Sequence, residues 1–275
     1  MLINPLAGLL GFAFALLVYV IVMARSRERR AAIVAAIVAG TIAFAAVRLL
    51  HGGWQWNEQR QTDDHRQQVA TVLEQDPPLA AMKQVDAETY KSTLDAVSAQ
   101  EPVQAADVSA LRYAARHEIN FTFGLDARLK RASDEAITSY ATALVDAADE
   151  LAARSADLCV RYLYQTNDST ENFSELLSAN ARQLEGAAMA DVIKSASVAA
   201  QKPTDEYEVS QLALPVVDAL KRKYGAGWQI INAPYSRSRD LDQLCRISTE
   251  FYRGVLRMPT ATSAKVLRHH VRRHG

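Results

Sequence analysis

The residues best equipped for covalent, metal or proton chemistry in this 275-residue chain are two cysteines and six histidines. The cysteines are Cys159 and Cys245. Cys159 follows Leu158 beside a heptad seam, and Cys245 follows Leu244 on the apolar face of a late helix. An even count on two apolar faces suits a structural disulfide in an oxidising compartment, and an inert pair of core thiols fits the same pattern. If paired, they close a loop of 86 residues, which constrains the unfolded chain by about 4.5 kcal/mol in the loop-entropy account.

Nucleophilic catalysis needs Ser or Cys beside a His that a third group orients. His51 falls at a membrane edge, and His269, His270 and His274 lie in a basic C-terminal tail. His65 follows Asp63 and Asp64, but no second His or Cys stands at ligand spacing, so a solvated helix face is expected there. His117, between Arg116 and Glu118, reads as a residue at a helix end. The many acids allow countless carboxylate pairs, none distinguished by its setting. No catalytic residue, metal ligand or cofactor is assigned.

A different kind of site is suggested by Tyr224-Gly225-Ala226-Gly227-Trp228 through Pro234-Tyr235. A phosphate loop needs a Lys-Ser/Thr pair or a Gly-x-Gly-x-x-Gly after a strand, and neither is present. The stretch reads as a loop whose Trp closes one end of a bundle. Its alternative role is a contact surface carried by Tyr224, Trp228 and Tyr235.

Helices must position these residues. With eleven Gly and eight Pro, abundant Ala and Leu, and few β-branched runs, the class is all-α. Ile137, Leu144, Leu151 and Leu158 recur every seven residues, with Ala141, Ala148, Ser155 and Tyr162 four after each. This predicts one long helix from Ser133 to about Tyr164 in a closely packed bundle. Asp134 and Glu135 suit its N-terminal dipole. After the turn Thr166–Thr170, a helix from about Glu171 to Ala199 presents Phe173, Leu177, Leu184, Ala188 and Val192, antiparallel to the first. Further helices are expected from Leu79 to Ser98, Pro102 to Glu118, Thr204 to Tyr224 (kinked or divided at Pro215) and Ser238 to Arg257. The last of these puts Leu241, Cys245, Ser248, Tyr252 and Val255 on one face. Gly225 is a candidate C-cap, and the tail from Lys265 reads as a frayed basic end or as a contact for anionic lipid or an acidic partner.

Two apolar runs, 6–24 and 31–50, precede this domain, each about the ~20 residues a helix needs to cross a bilayer. They form a predicted transmembrane hairpin around Arg25, Arg27, Arg29 and Arg30, while residues 1 to 5 hold no Lys or Arg. Short arginine-rich loops stay in the cytoplasm, so both termini are expected outside it. A cleaved signal peptide fits poorly, because the arginines follow the apolar stretch. Arg48 can snorkel, and His51, Trp54 and Trp56 fall at an interfacial belt. Small residues every fourth position (Ala7, Gly11, Ala15; Ala31, Ala35, Ala39, Ala43) suit packing within the hairpin or self-association in lipid. Residues 51–78, polar and ended by Asp76-Pro77-Pro78, read as a juxtamembrane stalk before a helical domain at 79–275.

Beyond position 50 the chain holds 26 basic and 30 acidic residues, which argues against a nucleic-acid partner. The expected role is an inner-membrane-anchored extracytoplasmic interaction or scaffold module, with lipid and a protein partner or second copy as ligands. The alternative is a tethered periplasmic hydrolase or modifying enzyme with its site near residues 224–235. A reporter that is active only outside the cytoplasm, fused after Gly275, should be active. A stably expressed but silent fusion would refute this topology.

Overall fold

The computed structural model describes residues 62–99, 125–164, 172–198, 205–232 and 240–270, with single positions at 60, 108, 111, 112, 114 and 115. Both apolar runs, the four loop arginines, His117, Tyr235 and most of the helix expected at 102–118 lie outside these residues. Among the described residues no helix is long and apolar enough to cross a membrane. The chain divides into two units, Met1–His65 and Arg66–Gly275. The second is built of helices, with no strand among its described residues.

Where the stalk was expected, residues 66–74 form the first helix of this unit, α1, and pack into the domain. Val69 and Leu73 are completely covered and belong to the same apolar core as Leu79 and Met82. Two apolar residues one turn apart suffice to dock an otherwise polar helix. Pro77 then opens α2 (Pro77–Val85), where its missing N–H costs nothing. The single helix expected from Leu79 to Ser98 is divided at Asp86, which caps α3 (Ala87–Ser98) by accepting the Thr89 N–H at 3.1 Å. Arg128 of α4 (Leu125–Arg131) also donates to Asp86, at 2.6 Å. Burial pushes the Asp86 carboxyl upward, but the bonds from Thr89 and Arg128 outweigh it and hold the pKa below the ordinary value.

The heptad stripe forms α5 (Asp134–Ala152), capped by the Ser133 hydroxyl, which accepts the Ala136 N–H at 3.2 Å. Ile137, Ala141, Leu144, Ala148 and Leu151 are all buried, as read from the spacing. The helix does not continue to Tyr164. It stops at Ala152, and Ser155 caps a new helix, α6 (Ala156–Leu163), by accepting the Asp157 N–H at 3.2 Å. Ser155 and Leu158 are therefore only half-buried rather than seam residues. A serine that bonds its own downstream backbone competes with helix continuation, and here it prevails.

The next expected helix is also split. One turn, α7 (Phe173–Leu176), precedes α8 (Ala179–Val198), and the break falls at Ser178. Ser178 donates both its N–H and its hydroxyl to Glu150 near the end of α5. At the other end the Ser133 N–H donates to Ser195 Oγ at 3.2 Å. The start of α5 thus lies beside the end of α8, so the pair is antiparallel as expected. Leu184 is a correction, 49% exposed rather than part of the inward face.

α9 (Glu206–Tyr224) runs unbroken through Pro215. Pro215 and Gln211, whose carbonyl it orphans, both lie at exposed positions, so the lost bond leaves no buried polar group. Gly225 ends α9 with a positive φ of 56°, and a 3₁₀ segment, Gly225–Asn232, follows. α10 (Leu241–Leu256) crosses α9 closely at Gly254, where a Cβ would meet Val216 at 2.7 Å. The basic end expected to fray is instead α11 (Thr260–His270), with Ala264, Val266 and Leu267 fully buried. Arg268 donates to the Ala132 carbonyl and to Asp134, tying α11 to the start of α5.

Two apolar cores result. One gathers α1–α5, α8, α9, α10 and α11, and the other gathers the end of α5 with α6, α7 and the start of α10. Leu151 sits in the second with no exposed surface. Leu151→Ala should lower unfolding free energy by roughly 2–5 kcal/mol, the range for a buried leucine leaving a cavity. Denaturant unfolding of the detergent-solubilised chain measures this, and a change within ~0.5 kcal/mol would contradict the packing.

Candidate functional site

Cys159 of α6 and Cys245 of α10 are joined, their Cα atoms 5.9 Å apart. The bond lies inside the second core, with Cys159 fully covered. Polar groups around it are paired. Tyr164 and Ser248 share a 2.8 Å hydrogen bond, and burial raises the Tyr164 phenol pKa against the lowering effect of that bond. Tyr162 donates to the buried Glu185 of α8 at 2.8 Å and meets Phe173 edge-on, with centroids 5.6 Å apart. Together these contacts fix α6, α7, α8 and α10 around one covalent clamp.

The sequence-predicted contact segment is more ordered than a loop, because Gly225–Asn232 winds as 3₁₀ turns. Trp228 is half-buried and packs on the first core. Ile230 and Ile231 touch both cores. Lys221 sits 5.4 Å above the Trp228 ring, a cation–π geometry that stiffens the turn. Tyr224 donates to Glu250 of α10 at 2.8 Å, and Lys223 reaches the same oxygen at 2.6 Å. The sequence marks Lys221 and Lys223 only as basic residues that complement the dipole at the end of their helix, and it does not mark Glu250. Only the tertiary crossing of α9 on α10 brings them together.

This cluster titrates in a defined way. Burial pushes the Glu250 carboxyl up, but the bonds from Lys223 and Tyr224 outweigh it and hold it below its ordinary value. Burial and the bond to Glu250 raise the Tyr224 phenol, and the bond to Glu250 raises the Lys223 ammonium.

Two grooves flank the outer ridge of α5. The larger, about 560 Å³, lies toward α8 and includes Glu135, Ser139, Asp191 and Lys194 in its lining. The smaller, about 390 Å³, lies toward the α10–α11 junction and shares Glu135 and Ser139. Their linings offer hydroxyls, carboxylates and one amine. No grouping of His, Cys, Asp or Glu among the described residues is arranged to hold a metal. Asp63 and Asp64 are exposed and His65 half-buried, within helical backbone. No family model, curated protein or solved structure matches this chain.

The lowered Glu250 pKa has a consequence for stability. A depressed carboxyl stabilises the fold above its unfolded value, near 4.5, and that contribution is lost as pH falls through the folded value. For so accessible a pair the contribution is small and is screened by salt. Glu250→Gln should therefore lower stability at neutral pH and leave it unchanged in strong acid. Equal destabilisation at both pH values would contradict the ion pair.

Proposed function

We propose that this chain is a membrane-anchored helical scaffold whose folded domain works outside the cytoplasm of a bacterial cell. The observation that carries the reading is the Cys159–Cys245 bond. Structural disulfides persist in oxidising compartments and are rare in the cytosol. The bond joins two separate helices within a core, as a structural role requires. It agrees with the orientation inferred independently from Arg25, Arg27, Arg29 and Arg30, which places the domain on the same side.

In this reading the hairpin 6–50 fixes the chain in the inner membrane, and the domain presents helical faces to a protein partner. The 3₁₀ turn with Tyr224, Trp228 and the Lys223–Glu250 pair forms one such face, rigid enough to be recognised without much ordering cost. Aromatic residues beside charged groups are the composition that protein contacts favour.

In-cell crosslinking of the full chain followed by mass spectrometry tests the scaffold role. Crosslinks from residues after position 50 should reach extracytoplasmic proteins or further copies. The same preparation, denatured without reduction, should leave both cysteines resistant to alkylation. Crosslinks confined to cytoplasmic proteins, or two freely alkylated thiols, would overturn the reading.

A further inference from the structure

The outward face of α8 carries an unusual stripe. Leu184, Ala187, Asp191, Lys194 and Val198 are all exposed, and Val198 shows 84% of its surface. Their spacing alternates three and four residues, so they align within a narrow band of one helix face. The opposite face of the same helix is spent on the core, through Ala188, Met189, Val192, Ile193 and Ala196. Asp191 and Lys194 are one turn apart, yet neither forms an ion pair among the described residues. Both stand on the rim of the larger groove beside Glu135.

We propose that this stripe docks a second copy of the same chain, α8 against α8 in antiparallel orientation about a two-fold axis. The inference rests on reading the protein as an interaction module and names its partner. The argument is charge complementarity. The midpoint between positions 191 and 194 is also the midpoint between 187 and 198. A two-fold axis there sets Asp191 of each copy against Lys194 of the other, and Val198 of each against the small Ala187 of the other. A closed two-fold dimer demands this kind of self-complementary patch. Parallel packing instead opposes Asp191 to Asp191 and Lys194 to Lys194, which like-charge repulsion disfavours. Five residues make a small interface, so it serves copies already concentrated by a shared membrane, where weak contacts gain from high effective concentration.

Charge reversal in the full-length chain tests the register. A benzophenone side chain at Gln183, exposed near the stripe, reports dimers by photo-crosslinking in the membrane. Asp191→Lys alone and Lys194→Asp alone should each cut the dimer adduct, by roughly tenfold for a like-charge penalty of about 1.4 kcal/mol. Co-expressing the two single variants with different tags should restore a mixed dimer, because one copy then offers two lysines and the other two aspartates. Since neither variant can recover alone, restoration also shows that both fold. Adducts insensitive to either reversal, adducts only to another protein, or no recovery on mixing would each overturn the α8 dimer. Those results leave the compartment reading intact, because it stands or falls on the cysteine alkylation instead.

Discussion

The domain depends on how much of α5 is hidden. Its buried residues run from Ala136 and Ile137 through Tyr140, Ala141, Leu144 and Ala148 to Leu151. At 100° per residue they cover roughly half of the helix circumference, far more than the single stripe of a surface helix. Alanine makes this feasible. Five of the ten buried positions are Ala, so α8, α10 and α11 approach the axis closely without large side chains holding them off. Each end is then locked by polar contacts. Ser133 and Asp134 engage Ser195 and Arg268, and Asp149 and Glu150 engage Arg253 and Ser178. Helices that differ widely in sequence position are thus referenced to one rod.

The interruptions of the other helices follow from that arrangement. A continuous helix from Ser133 to Tyr164 would carry Cys159 onward along the α5 axis. The Ser155 cap redirects the chain, so that α6 folds back onto the end of α5 and brings Cys159 to Cys245. Ser178 does the same for α7 and α8, using Glu150 as its anchor. In each case a short polar side chain satisfies backbone groups that a helix end leaves bare. The breaks are therefore built from the same hydrogen-bond requirement that makes the helices.

Periodicity and composition made much of this legible. The all-helical class, the heptad stripe as far as Leu151, the antiparallel α5–α8 pair and the cysteine pairing all follow from spacing and residue type. What escaped has a common physical cause. Helix breaks at Asp86, Ser155 and Ser178 depend on Asp and Ser side chains, which favour caps but also occur within helices, so their presence alone marks no boundary. α1 and α11 looked solvated because their apolar residues are few. Yet Val69 with Leu73, and Val266 with Leu267, are wholly covered once neighbouring helices supply the other half of the contact. Arg268 is the clearest case. As one of several tail arginines it suggested exposure, whereas its side chain is only 10% exposed and bonds to α5. For the candidate contact region, the aromatic and glycine content drew attention to Tyr224 and Trp228. Glu250 lies 26 residues away from Tyr224, and nothing local marks it as their partner.

The bond between Cys159 and Cys245 also decides how the molecule carries mechanical load. A chain pulled from its two ends would transmit tension along the backbone to Cys159. From there the covalent bond passes it straight to Cys245, 86 residues further on. The intervening α7, α8, α9 and the 3₁₀ turn lie off that path. They cannot be drawn out while the bond holds, which withholds roughly 290 Å of extended chain at about 3.4 Å per residue. The segment between the two cysteines would stay closed as a loop under a pull that had already unravelled α1 to α5.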